Sequence, residues 1–334
     1  MSESLIGKTR LRKQKALALP FMPIQWRVMR GNYDWALISS HLFAHHVRFI
    51  GGESMEKYVY VHTPARYIWS PELDPRGQSA MVRAVAPAFK AIDRRRAAEA
   101  TSFAANSKFV AGRVQKYWSA DSVVIHPPVD VETIQSTLDW PENLNQNERE
   151  IFDSLPSDFV LGASRLVDYK RIDAVIRAGE LVGVPVVIAG SGPAMSRLES
   201  LAQSSRTPVI FLGRVSDQLL YSLYSRCLVY AFLGVEDFGI MPVEAMAAGA
   251  RVVANREGGA GESILTGITG SLCDPDDPGD LARAVSEASS CSSASSRSHS
   301  RKFDHETFES SIVDWVGAEK VARHYENVRI GGTR

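Results

Sequence analysis

Cysteine is scarce in this chain of 334 residues: Cys227, Cys273 and Cys291 are scattered, odd in number and without metal-ligand spacing. That excludes a disulfide framework and leaves reduced thiols in a cytosolic protein as the expectation. Excess charge is missing too. The 38 Lys and Arg balance the 38 Asp and Glu, so the formal net charge is zero and nucleic acid is not expected as a partner. No apolar run approaches the roughly 18 residues of a membrane-spanning helix. The opening Met1–Lys8 lacks the apolar centre of a signal peptide. What is present, 45% hydrophobic and 23% charged residues, describes a soluble globular chain long enough for two domains.

The most informative stretch is Val235-Glu-Asp-Phe-Gly-Ile-Met-Pro-Val-Glu244-Ala-Met-Ala-Ala-Gly249. Short apolar runs flank it, Cys227–Phe232 before and Ala250–Ala254 after, so it reads as strand, loop, short helix, strand in a parallel α/β unit. Gly239 allows a tight turn, and Pro242 suits a first helical turn. The helix is expected to open near Ile240, with free N–H groups around Gly239, Ile240 and Met241 forming an anion site. Glu236 on the loop and Glu244 one turn inside are acceptor-only carboxylates flanking that site, suited to a hydroxyl-rich ligand that also carries phosphate.

Two glutamates with seven residues between them in this setting closely resemble the signature of retaining glycosyltransferases of family 4. The resemblance implies that Glu236 serves the hydroxyls of a donor sugar and Glu244 the ribose of its nucleotide. It extends from about Leu17 to the end. Gly162-Ala-Ser-Arg-Leu-Val-Asp-Tyr-Lys-Arg171 is similar to the family's G-R-L-x-x-Y-K-R segment, with Ser164 where glycine is usual. By that likeness Arg165 and Lys170 hold the donor diphosphate, where cations are needed as the leaving nucleotide gains charge. Gly190-Ser-Gly-Pro193 fits the family's G-x-G-P turn, either approaching the nucleotide or serving only as a strand-to-helix turn. Arg214, after the strand expected at 209–213, is a candidate for the base region. Asn255-Arg-Glu-Gly-Gly-Ala-Gly-Glu262 resembles the G-G-x-x-E loop.

In the first half, Asp34–Ser40 and Lys57–His62 read as buried strands. The second runs into His62-Thr-Pro-Ala-Arg-Tyr-Ile-Trp69, which resembles the matching segment of bacterial mannosyltransferases of polysaccharide synthesis. His62 then faces the transferring sugar, or is a strand-end histidine bonded to a backbone carbonyl. Arg66 is an acceptor-side candidate, or a loop-ordering cation. Asn106 and Ser107 either touch ligand or cap a helix. The acid-free segment 8–30, with seven Lys and Arg among aromatics, either lies on an anionic membrane surface or is a solvated linker. Pro87 is expected to start a helix, Asp139–Arg149 to be a linker, and Ser289–Ser300 to be poorly packed.

These readings give an α/β protein of GT-B type, two facing Rossmann-like domains: 1–140 on the acceptor side, 141–302 binding nucleotide sugar, and 303–334 as a helix crossing back. The first domain is expected to lack the family's first strand and glycine-rich loop. The implied reaction moves a sugar, mannose from GDP-mannose or a sugar from a UDP donor, to a glycan or lipid-linked acceptor with retention, without a bound metal. The alternative is a shortened, non-catalytic GT-B protein that binds a nucleotide or a partner subunit.

Overall fold

The computed structural model describes residues 26–52, 54–71, 75–137 and 139–322. They fall into two compact units, one ending at Ile125 and the other starting at His126. Residues 8–25 of the basic segment and 323–334 of the expected final helix lie outside the described residues.

In the first unit β1 (Trp35–His41), β2 (Glu56–Thr63), β3 (Ser102–Ala105) and β4 (Val123–Val124) pair in that order, all parallel. β2 is a nearly unbroken buried run, as suits a strand covered on both faces. β1 is less buried, and its register with β2 slips between Ser40 and His41. Val59, Val61 and Phe103 from the sheet pack with Val110, Val114 and Trp118 of the helix Lys108–Trp118. Ser107 takes the capping role on that helix, its Oγ accepting from Val110 N at 3.0 Å.

A second helix, Ala80–Ala97, is anchored by one buried acid. Asp93 Oδ1 accepts from His46 Nε2 (2.7 Å) and lies 3.0 Å from His45 Nε2, and Oδ2 accepts from the Trp69 and Trp118 indoles at 2.7 Å each. Burial pushes the Asp93 carboxyl up, but the bonds from His45 and His46 outweigh it and hold it well below the usual range. Among the described residues His45, His46 and Asp93 form the one cluster spaced like metal ligands. Their separations are those of hydrogen bonds, and the two indoles saturate the other oxygen. Pro87 lies inside this helix rather than at its start. It is exposed, so the carbonyl it leaves unbonded one turn earlier remains within reach of water.

The second unit holds β5 (Val160–Ala163), β6 (Val186–Ala189), β7 (Val209–Gly213), β8 (Val229–Phe232), β9 (Val252–Asn255) and β10 (Gly270–Cys273). All neighbours are parallel, in the order β10-β9-β8-β5-β6-β7. Counted from β5, that is the 3-2-1-4-5-6 order of dinucleotide-binding sheets. Each strand is covered on both faces. Leu161 and Tyr230 point into one layer with Phe159 and Met246, and Val160 and Val229 into the other with Ile188 and Leu281.

Two stretches differ from their compositional reading. Asp139–Arg149 belongs to the second unit, where Trp140 and Leu144 pack on the core and Asn145 and Glu148 form a capping box for the helix Gln146–Ser154. The serine-dense segment forms a helix, Ser293–Ser300, with Ser296 and Ser300 buried. Its small side chains admit the helix Ile240–Ala247 so closely that a Cβ on Gly249 would sit 2.6 Å from Ser293 Oγ. The helix His305–Val316 follows and stops at Gly317. No described helix is long and apolar enough to cross a membrane.

Candidate active site

In an open parallel sheet the ligand crevice lies at the carboxyl ends of the strands where their order reverses, here β5 and β8. The loop after β5 carries Arg165 and leads into a tight turn, Asp168–Lys170. The glycine turn after β6 clasps that loop. Ser164 N donates to Ala189 O at 3.1 Å and Leu166 N to Ser191 O at 3.0 Å. A Cβ on Gly190 would lie 1.9 Å from Ser164 O, and one on Gly192 2.2 Å from Leu166 O. Both glycines are therefore required by close backbone approach. Gly190 N also bonds Gly213 O at 2.6 Å, and Arg214 Nε donates to Ser191 Oγ at 2.9 Å. Gly190 and Arg214 thus belong to the same surface as Arg165.

The loop after β8 meets the β5 loop at Gly234, where a Cβ would be 2.7 Å from Tyr169 O and 3.0 Å from Lys170 Cα. That contact sets Lys170 Nζ 2.6 Å from Glu236 Oε1, each side chain 17% exposed. Lys170 also lies 5.3 Å from the centre of the Phe232 ring. Glu236 is held from behind by the glycine pair after β9. Gly259 N donates to Glu236 O at 2.7 Å, and a Cβ on Gly259 would strike Asp237 O at 1.9 Å. Gly239 adopts φ 86°, and the helix Ile240–Ala247 opens directly after it with Pro242 in its first turn. Ile240 is 46% exposed at that opening, and Met241 packs on the core behind it.

Two charges here are unanswered. The side chains of Arg165 and Glu244 make no hydrogen bond or ion pair with the described residues. Arg165 is exposed, whereas Glu244 is half-buried. Burial raises the Glu244 carboxyl above its ordinary value, and Asp217 adds to the rise. Both Glu236 and Glu244 act electrostatically on Tyr230, whose hydroxyl donates to Ala163 O at 3.0 Å. The second unit therefore brings together a paired Lys170–Glu236, a free guanidinium, a helix opening and a desolvated carboxylate. Such a surface can take a diphosphate on the cations and hydroxyls on the acids.

His62 and Arg66 belong to the first unit. His62 ends β2, with Nε2 2.8 Å from Ser39 Oγ and its ring edge-on to Tyr60 at 5.2 Å. Its ring nitrogen is thus held by a hydroxyl. Arg66 is half-buried and opens the short helix Arg66–Trp69. The sequence reading missed His126. It stacks on Phe238 at 5.3 Å, tilts on Phe303 at 5.4 Å, and places Nε2 3.4 Å from Glu262 Oε2. A histidine directly ahead of two prolines at a strand end was the available signal.

Residues 145–304 match the family described as glycosyl transferases group 1. The chain is 28% identical over 227 residues to alpha-1,3/1,6-mannosyltransferase alg-2 of Neurospora crassa, covering 56% of this chain and 47% of that protein. It is 29% identical over 196 residues to the GDP-mannose-dependent alpha-(1-6)-phosphatidylinositol monomannoside mannosyltransferase of Mycolicibacterium smegmatis, covering 54% and 51%. The chain thus spans about half the length of the curated relatives it matches. Among solved structures, sucrose-phosphate synthase of Thermosynechococcus elongatus aligns over 98% of this chain and 82% of its own, with TM-score 0.68 and 18% identity. The likeness to glycosyl transferases group 1 thus falls within the second unit, and the chain has the GT-B fold.

Proposed function

We propose that this protein is a retaining glycosyltransferase of family 4 that transfers a hexose, mannose from GDP-mannose, to a glycan or lipid-linked acceptor in cell-surface polysaccharide synthesis. The observation that carries the reading is the Lys170–Glu236 contact at the switch point of the sheet, beside the unpaired Arg165 and the desolvated Glu244. Arg165 and Lys170 take the diphosphate, whose negative charge grows as the sugar bond breaks. Glu236 orients the sugar hydroxyls, Glu244 holds the ribose, and the N–H groups from Gly239 to Met241 face the charged end of the donor. His62 serves the reacting face and Arg66 the acceptor side. Cationic side chains and a helix terminus supply the charge stabilisation, so the reaction is read as metal-independent. Displacement occurs on one face of the sugar, with the leaving phosphate accepting the acceptor's proton.

Mannose as the sugar rests on the two mannosyltransferases that the chain resembles. Cytoplasmic residence, with peripheral membrane contact through residues 8–30, belongs to the same reading.

Incubation with GDP-mannose and with UDP-sugars, followed by mass spectrometry, tests it. Hydrolysis or transfer from GDP-mannose that disappears in Glu236→Ala, with nucleotide binding retained, is the expected result. Transfer unchanged by Glu236→Ala overturns the assignment. The second reading, a non-catalytic nucleotide binder, is favoured by the family match covering only residues 145–304. Thermal stabilisation by GDP without turnover would establish it.

A further inference from the structure

The loop that carries Glu236 rests on the turn Ala260–Ser263 that follows β9. Gly259 N donates to the Glu236 carbonyl, and a Cβ on Gly239 would meet the Ala260 methyl at 3.0 Å. Histidines from two other segments fix that turn. His299 of the helix Ser293–Ser300 sets Nε2 3.1 Å from Ser263 O. His126, just past β4, sets Nε2 3.4 Å from Glu262 Oε2 and lays its ring on Phe238 at an interplanar angle of 26°. Phe303 closes the cluster, its ring 5.4 Å from that of His126, 5.8 Å from Phe238 and 5.6 Å from His299. The bond from Val129 N to Phe303 O, at 2.8 Å, ties Phe303 to the segment that carries His126.

His126 therefore touches both loops at once: Phe238, two residues from Glu236, and Glu262, three residues from Gly259. A ring that is only stacked can slide and turn in its own plane. A polar contact at its edge removes that freedom. With 30% of the His126 side chain and 16% of the Glu262 side chain exposed, the contact adds little to stability. Its consequence is positional. We propose that, with Glu236 read as the acid that orients the donor sugar, His126 is its positioning residue. By bridging Phe238 and Glu262, His126 locks the loops after β8 and β9 together and holds Glu236 against the transferring sugar. Arg165, Lys170 and Glu244 lie outside this bridge, so nucleotide binding is spared when it is cut.

The experiment uses the full chain and reads GDP released from GDP-mannose. His126→Phe keeps an aromatic face on Phe238 but drops the contact with Glu262, and kcat should fall about tenfold. KM for GDP-mannose and Kd for GDP should stay within about twofold of wild type. Glu262→Ala should lose as much, and Glu262→Gln, which can still meet the imidazole, should recover at least about half of the wild-type rate. His126→Phe combined with Glu262→Ala should fall no further than either alone. Wild-type kcat in His126→Phe, a loss carried by KM and Kd instead, or additive losses in the double variant would overturn the bridge. Hydrogen exchange in the free protein tests the same coupling without turnover. Residues 236–241 should exchange at least about threefold faster in His126→Phe and in Glu262→Ala, with β5 and β6 unchanged. Unchanged exchange at 236–241 overturns the proposal. Faster exchange there, beside a wild type that releases no GDP, supports the bridge and removes the enzymatic reading alone.

Discussion

Neutralising Glu236 while keeping its shape should tighten binding of GDP, the reverse of what loss of a binding residue normally does. Lys170 Nζ lies 2.6 Å from Glu236 Oε1, so in the free protein the cation that would meet the diphosphate is already engaged. At that separation two unit charges attract by about 6 kcal/mol at an effective dielectric of 20 and about 1.6 kcal/mol in water. With 17% of each side chain exposed, part of this is offset by desolvation, leaving a net coupling of about 1–3 kcal/mol. A double-mutant cycle with Lys170→Met, Glu236→Gln and the pair, followed by denaturant unfolding without nucleotide, should return that coupling. Calorimetry with GDP should then separate the roles. Lys170→Met removes a charge-assisted bond and weakens GDP by about 10–100-fold, from a loss of about 1.5–3 kcal/mol. Glu236→Gln releases the lysine and removes a like charge from the phosphate, so affinity should rise about fivefold while transfer is lost. If Glu236→Gln weakened GDP as much as Lys170→Met, the two residues would be serving the nucleotide in the same way and the division of roles would be wrong.

Three further outcomes follow from the geometry. Gly259→Ala places a Cβ 1.9 Å from Asp237 O and should cost about 1–3 kcal/mol in unfolding free energy. It should also weaken donor binding by shifting Glu236, both read by calorimetry. Glu244→Gln removes a desolvated charge and should raise the melting temperature by about 2–4 °C while weakening nucleotide binding. Asp93→Asn leaves buried donors unmatched and should cost about 3–5 kcal/mol, unfolding the first unit selectively in hydrogen exchange. Burial lowers the His46 pKa from its ordinary value of 6.5, and bonded histidines hold Asp93 low. The unfolded chain therefore gains protons first as pH falls. Stability of the first unit should decline once pH drops below about 6.5, and again near the ordinary carboxylate range of about 3.9. A flat profile of melting temperature from neutral pH to pH 4 would contradict it.

Most of the second unit was legible because its signals are local. β8, the turn at Gly239 and the helix behind it follow from an apolar run, a glycine and a proline in sequence. The strand order, and hence the crevice that joins Lys170 to Glu236, is not local. It depends on β8 crossing to pair with β5, some seventy residues earlier, and no periodicity records that. The serine-rich helix was misread for a related reason. Serine composition favours loops, but here the small side chains let two helices meet, a gain visible only once the partner is in place. His126 and Asp93 were silent because their partners lie in other elements: Glu262 for the first, and His45, His46, Trp69 and Trp118 for the second.

The bond from Gly259 to the Glu236 carbonyl has an evolutionary consequence. Since neither loop can shift alone, a lineage changing its preferred sugar by moving this acid would have to alter both segments together. Single changes at positions 258 and 259 should behave as dead ends, and viable variants should appear as coupled substitutions spanning positions 236–259.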